Sequence, residues 1–483
     1  MKSIVVVGGG ISSLYLSYLL LKTKKYKIYL YEKNNSFGGR IKTEYNKDGN
    51  VLYETGPWRF HSSHTSLIKL LDEFHLDYCP IKIPISYKGF KKNISYSDNY
   101  TIKPTTELTE YQYRTIEKDI LDTNLEEIKT GYYGIYNRAN TTNTYSIPKD
   151  KTESKFFIVK EGFSKLVEIL VQKLDEDENC ILSTNTMVTD IFLEEKIKDN
   201  INYKIIYKKR EEEKWIEKKR DRIHYLILGI PPHNIKQFKT FRLTENISLV
   251  KSLPLCHMMG RVSNGIKKYG DFKYICNSPI SQVISSLYSN HWIQISYSAG
   301  RMAELFQNLS IYSLSSMKNY IKTEFYKFFP KNIEVKEIRK YFWRNAVHYW
   351  LPNMKTTEKE MMKRSIEPHP KKYPNLFWIG ESISKKQGWI EGALETSNYC
   401  FKLLEKCEIK FKDKRKKEIN SKLNKNIEYV FYNGRKINIS KWKYEHPGGI
   451  ETIENHIGED ITDLWNSYHS PEISRYFIPL EER

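Results

Sequence analysis

Gly8-Gly9-Gly10-Ile11-Ser12-Ser13-Leu14 follows directly on the β-branched run Ile4-Val5-Val6-Val7 and opens an apolar stretch that reaches Leu21. A buried strand, a tight glycine turn and a helix, in that order, are the parts that bind a pyrophosphate. The first glycine makes the turn, the second lets the backbone come close, and the helix N-terminus offers free N–H groups and its dipole. Ser13 takes the third position, where glycine or alanine is usual because helix and strand press together; serine is small enough to fit. A second strand, Lys27 to Tyr31, ends at Glu32, 22 residues beyond Gly10. A carboxylate there accepts hydrogen bonds from an adenosine ribose. The glycine pattern alone would also suit an ordinary tight turn, so its continuation decides the matter.

That continuation is Phe37-Gly38-Gly39-Arg40-Ile41-Lys42-Thr43, then Tyr53-Glu54-Thr55-Gly56-Pro57. The series resembles the flavin-containing amine oxidase family, in which an acidic strand end runs into a G-G-R motif and then a D/E-x-G segment beside the flavin. The resemblance implies FAD as cofactor in place of NAD. It puts Gly8, Gly10, Ser13, Glu32, Gly39 and Arg40 around the nucleotide and pyrophosphate, and Gly56 to Arg59 near the isoalloxazine ring. A plain surface cation is the competing reading for Arg59.

Further segments fall in the family's order. Lys160-Glu161-Gly162-Phe163 resembles its glycine turn into a helix, and Thr186 to Ile191 resembles the strand whose valine, here Val188, meets the adenine. Tyr225 to Pro232 resembles the strand returning to the nucleotide domain. Late in the chain, Leu376-Phe377-Trp378-Ile379-Gly380-Glu381 and Gly388-Trp389-Ile390-Glu391-Gly392-Ala393-Leu394 resemble the segments that hold a cofactor hydroxyl through Glu381 and aim a helix N-terminus, at Gly392 and Ala393, towards the flavin. A helix dipole so placed favours negative charge on a reduced ring. By the same resemblance Trp389 is one wall of an aromatic cage, with Tyr349 or Trp350 as the second; either is equally at home in a core. Pro254 to Arg261 lacks the lysine that many members carry in that strand; Arg261 is its nearest cation and His257 its nearest titratable group. Residues 343–354 contain no cysteine, so no thioether-linked flavin is expected. Hydride removal from a carbon next to nitrogen needs a positioned C–H and the flavin, with no catalytic triad or metal cluster.

After Cys407 the chain turns polar and basic through Lys425. Tyr429 to Ile439 then reads as two strands about an Asn433-Gly434 turn. His446-Pro447-Gly448-Gly449 follows, and Tyr468-His469-Ser470 lies further on, the second histidine 23 positions after the first. Hairpin, HPGG, the acidic stretch Gly458 to Trp465 and the second histidine together resemble cytochrome b5. That resemblance implies haem b held by His446 and His469 as axial metal ligands.

The composition agrees with an enzyme of several domains. The chain has 483 residues, 40% hydrophobic and 14% aromatic, which is ample for packed cores. A formal charge of +20 is spread along the chain with no nucleic-acid module beside it, so no nucleic-acid partner is expected. Six cysteines, at 79, 180, 256, 276, 400 and 407, form no regular pattern, which favours free thiols in a reducing, cytoplasmic compartment. The three glycines inside Ser3 to Leu21 argue against a signal peptide or membrane span.

The expected fold class is an α/β FAD-binding Rossmann-like domain with an interleaved α+β substrate domain and a small α+β cytochrome b5-like domain. The flavoprotein region spans 1–405, its FAD-binding parts about 1–75, 155–250 and 370–405 and its substrate-domain parts about 76–154 and 251–369. A basic linker, 406–425, and a b5-like domain, 426–483, complete the chain. The expected function is an FAD-dependent oxidoreductase taking hydride from an amine-type small molecule and relaying electrons to the haem, with a redox partner protein as a further possibility. Alternatives are an oxygen-using amine oxidase with a vestigial b5 module, or a non-catalytic cofactor-binding protein.

Overall fold

The structure is a computed structural model. It describes residues 1–81, 83, 85–88, 156–194, 202–239, 241, 249–263, 266, 270–276, 278–330, 332–350, 358–425, 428–440, 442–444, 446 and 448–470. Of the expected substrate-domain part 76–154, residues 89–154 therefore lie outside the described residues. Two compact units are present, Met1–Phe401 and Lys402–Arg483.

A five-stranded parallel sheet organises the first unit, in the order Leu376–Trp378, Tyr225–Leu228, Lys2–Val7, Tyr26–Tyr31, Cys180–Ser183. Ile4, Val5 and Val6 have no exposed surface, as expected of a parallel strand covered on both faces. The connections diverge at Lys2–Val7, so the crevice for a ligand opens beyond its carboxyl end, where Gly8 begins the glycine turn. The helices Ile11–Leu21 and Phe163–Asp175 pack together beside the sheet.

Ser13 is accommodated by an exchange. A Cβ added at Gly229, just after the strand Tyr225–Leu228, would lie 1.9 Å from Ser13 Oγ. The small residue expected on the helix stands on the neighbouring strand instead. Gly229→Ala should therefore cost about 1–3 kcal/mol through overpacking, seen as a lower thermal midpoint. Pairing it with Ser13→Gly should restore most of the loss, a coupling that a double-mutant cycle reads directly.

The motif around Glu54 also supports a helix. Helix Phe163–Asp175 begins at Gly162, φ 79°, with no side-chain cap of its own. Glu54 supplies one: its carboxylate accepts from the Phe163 N–H at 2.7 Å and from Thr43 Oγ1 at 2.9 Å. Burial pushes the Glu54 carboxyl up to about 8, against those two donated bonds. A raised folded-state pKa favours folding most below the ordinary value of 4.5, and this contribution is lost as pH rises towards 8. The slope approaches about 1.4 kcal/mol per pH unit. Thermal unfolding across that window should show the decline, and Glu54→Gln should flatten it.

A six-stranded sheet, in the order Val335–Trp350, Val250–Val262, Trp292–Ala299, Gln282–Ile284, Lys273–Cys276, Ile85–Lys88, forms the second layer of this unit. Helices Arg301–Tyr312 and Leu314–Phe325 cover it, burying Phe306, Met317, Ile321 and Phe325 in its core. Smaller sheets join Thr186–Leu193 to Tyr203–Glu211 and Lys214–Ile223, and Phe156–Val159 to Phe60–His61 and Tyr78–Ile81.

Helix Ile390–Lys425 includes residues 406–425, the expected linker. In the second unit, Tyr429–Tyr432 and Arg435–Asn438 form the expected hairpin. Asn433 (φ 49°) and Gly434 (φ 72°) give it the left-handed turn residues that a two-residue hairpin favours. Val430, Ile437, Ile439, Ile453, Ile461 and Trp465 make the core. Buried Lys443 ties it together through Glu428 (2.7 Å) and Glu454 (2.5 Å). Among the described residues no helix is long and apolar enough to cross a membrane.

Candidate cofactor sites

At the carboxyl end of the first strand, Gly8 donates its N–H to Tyr31 O at 2.7 Å and thereby brings the turn beside Glu32. Glu32 is buried, its carboxylate accepting from Gly9 N at 2.7 Å and Asn34 N at 2.8 Å. Gly10 bridges to Gly38, and Gly39 packs over it. A Cβ built on Gly10 meets nothing within 4 Å, so bare backbone faces open space here.

Glu381 is the hub of this site. It lies just after the strand Leu376–Trp378, and its carboxylate receives Arg40 Nη2 at 2.5 Å, the Gly388 N–H at 2.6 Å and His348 Nδ1 at 2.6 Å. Arg40 also donates to the carbonyl of Ala346. Burial alone would raise the Glu381 carboxyl; the Arg40 and His348 charges outweigh it and hold the group well below the usual range. Nearby, His233 has a buried Nδ1 with no partner. Burial and the charges of His348, Lys33, Arg40 and Lys236 depress it to about 4. Open backbone at Gly10, an unpartnered imidazole nitrogen and converging cations suit a diphosphate, so the residues present fit the nucleotide part of FAD.

Gly56 approaches Arg40 so closely that a Cβ there would sit 1.9 Å from the Arg40 carbonyl oxygen. Beyond it, the Arg59 guanidinium stacks over Phe156 at 4.3 Å and Trp58 at 4.7 Å. Trp389 meets Phe156, stacked at 6.4 Å, and His64, edge-on at 4.9 Å. These rings, and not Tyr349 or Trp350, are the aromatic neighbours of Trp389 among the described residues. Tyr349 and Trp350 are buried at the end of the long strand, with the Trp350 indole donating to Ser384 O at 3.3 Å. Burial, with help from Lys386 and His61, drops His64 to about 3, so it stays neutral.

Gly392 and Ala393 lie in the first turn of helix Ile390–Lys425, as the motif implies. Glu391 beside them faces elsewhere: its carboxylate accepts from Ser66 N (3.2 Å) and Leu67 N (2.9 Å), capping helix Thr65–Glu73. Val188 is buried in its strand at a register break before Asp190. His257 is buried with Nδ1 on Thr55 O at 2.9 Å, and Arg261 pairs with Glu337 at 3.2 Å.

Sequence reasoning missed His348, His233 and His64. Only His348 left a trace, as the neighbour of Tyr349 and Trp350, the residues offered for the second cage wall; its partner Glu381 is 33 positions away.

In the second unit the His446 and His469 rings face each other at 5.9 Å between centroids, 55° apart. Metal–imidazole bonds of about 2 Å fit within that separation. Trp465 stacks on His469 at 3.9 Å, and its carbonyl lies 3.3 Å from His469 Nδ1, the support that fixes a ligating tautomer and leaves Nε2 for the metal. Trp442 packs edge-on against His446 at 4.8 Å, whose Nδ1 is buried without a partner. Among the described residues no group of three or more His, Cys, Asp or Glu could hold a metal ion. Two imidazoles alone suit an iron whose remaining ligands come from a porphyrin.

Residues 6–74 match the NAD(P)-binding Rossmann-like domain family, and residues 415–480 match the cytochrome b5-like heme/steroid binding domain family. Two curated relatives are Delta 8-(E)-sphingolipid desaturases. That of Komagataella phaffii is 32% identical over 62 residues, 13% of this chain and 11% of the relative. That of Lachancea kluyveri is 37% identical over 60 residues, 12% of this chain and 11% of the relative. The matches thus span about a tenth of either desaturase. The crystal structure of a protein titled a protoporphyrinogen oxidase, from Exiguobacterium sp. 255-15, superposes with a TM-score of 0.56 at 15% identity, covering 83% of this chain and 98% of the other. The chain carries the Rossmann-like domain typical of FAD-dependent amine and protoporphyrinogen oxidases, in an FAD-oxidase type of fold, together with a C-terminal cytochrome b5-like domain.

Proposed function

We propose that the protein is an FAD-dependent oxidoreductase that takes hydride from a small-molecule substrate and delivers the electrons singly to a b5-type haem on the same chain. FAD supplies two-electron hydride acceptance when bound, and a haem exchanges one electron at a time. The observation that carries this reading is the pairing, in one chain, of the Glu381–Arg40–His348 cradle with two facing, Trp-supported histidines.

Each residue has a separate task. Glu32 accepts from ribose hydroxyls, while Gly10 offers bare backbone to the diphosphate. Arg40 opposes its charge, the neutral His233 ring offers it a hydrogen bond, and Glu381 fixes Arg40. Phe156 and Trp389 wall the substrate side and exclude water. His446 and His469 hold the iron, with Trp465 orienting the second. Transfer to haem in preference to oxygen is supported by the strand Val250–Val262, where His257 is engaged by Thr55 and Arg261 by Glu337. An amine is the donor that the motif resemblance implies, although the charges around the wall favour a different class, argued below.

The absorption spectrum of the purified full chain should show flavin and Soret bands together. Anaerobic addition of a reducing substrate should bleach the flavin and then shift the haem to its ferrous spectrum. A colourless protein would sink the proposal; a flavin that bleaches while the haem stays ferric would reduce it to an oxidase.

A further inference from the structure

We infer that the substrate bound before the Trp389 wall is an anion, a carboxylate on an apolar body, and that Arg59 and Lys273 hold its charge. This rests on the reading that the wall fronts the flavin.

The face of an aromatic ring attracts a cation, which is how a cage guides an ammonium. Here that attraction is already used: the Arg59 guanidinium lies 4.3 Å over Phe156, and Phe156 stacks on Trp389. An ammonium approaching the same rings meets a fixed positive charge. Arg59 immediately precedes the strand Phe60–His61, and Lys273 begins the strand Lys273–Cys276 in the six-stranded sheet. Both are half-buried. The two are close enough to feel each other: burial first, and then the Arg59 charge, lower Lys273 to about 7. Arg59 is itself lowered to about 10 by burial, a shift that the Tyr297 hydroxyl opposes. No carboxylate offsets either cation among the described residues.

The sequence around them is depleted in acid to match. From Val250 to Ala303 the chain has one acidic residue, Asp271, and from Thr55 to Leu71 it has none. Asp271 is exposed. Arg40, by contrast, is held by the Glu381 carboxylate. Two half-buried cations with no counter-charge among the described residues cost folding energy, and an anionic ligand offsets that cost by charge-assisted hydrogen bonds. Tyr297, which packs edge-on against His257 at 5.6 Å, also feels the Arg59 charge.

The test uses the full chain and three probes of one shape: benzoate, benzamide and benzylamine, titrated by calorimetry, with the flavin spectrum recorded on the same samples. Benzoate should bind at least about tenfold more tightly than either of the others, the worth of a charge-assisted bond. Arg59→Gln and Lys273→Gln should each weaken benzoate about tenfold, while Arg59→Lys retains most of the affinity. Absence of benzoate binding, benzylamine binding equal to benzoate, or unchanged benzoate affinity in both glutamine variants would overturn the inference. If Arg59→Gln fails to fold, Lys273→Gln and the probe ranking on the unaltered protein still decide. Benzoate preference in a protein without a flavin band would refute the proposed function and leave the anion site standing. A flavin band without the preference does the reverse.

Discussion

His469→Ala should abolish the Soret band of the 483-residue chain and leave the flavin band in place. His446 and His469 are the two residues proposed to hold the iron, and removing either leaves one imidazole where the proposal requires two. His469 is also the better supported of the pair, since Trp465 stacks on it and its carbonyl lies 3.3 Å from Nδ1. His446→Ala should act in the same way. His446 adds little to the core besides its contact with Trp442, so both variants should unfold within a few degrees of the unaltered protein. Retention of a full Soret band in both would show that these histidines do not hold the iron.

The second large effect is at Glu381. Replacing it by alanine removes the carboxylate that Arg40 and His348 share and the acceptor of the Gly388 N–H. Breaking one partner of a buried ion pair costs about 3–5 kcal/mol. Arg40 is about one-third exposed, which favours the lower figure. The loss should appear as a lower unfolding midpoint and as FAD released on gel filtration. Glu381→Gln, which keeps the Gly388 contact but not the charge, should be milder in stability and still poor in FAD retention. The pH dependence runs opposite to that of Glu54. The Glu381 pKa is depressed in the fold, so its contribution is complete above the ordinary value of 4.5 and is lost as pH falls below it. The Glu381→Gln variant should be less sensitive to acid than the parent.

The parts that were legible in the sequence are those whose signal is local. The β-branched strand, the glycine turn, Glu32 at its strand end and the Asn433-Gly434 hairpin each lie within a short window, where backbone preference and periodicity speak directly. Glu381 and Trp389 were legible because the motif brings its own spacing. What stayed hidden depends on pairing across the chain. His348 becomes part of the site because the strand Val335–Trp350 ends beside Glu381, and no local pattern announces that meeting. Trp389 finds Phe156 and His64 for the same reason, where the sequence offered Tyr349 and Trp350. Ser13 looked like a departure from the glycine pattern; its counterpart, Gly229, follows a strand more than two hundred residues later.

Those long-range partners also set a clock on biosynthesis. Glu391 caps helix Thr65–Glu73 from 324 residues away, and Glu381 secures Arg40 from 341 residues away. At roughly 5–20 residues per second, a ribosome takes on the order of tens of seconds to connect either pair. Throughout that interval the emerging Rossmann strand and glycine turn exist without the Glu381 carboxylate that fixes Arg40. Cofactor capture therefore belongs to the end of translation, and a nascent chain halted before Glu381 should emerge without flavin however well its first helices have formed.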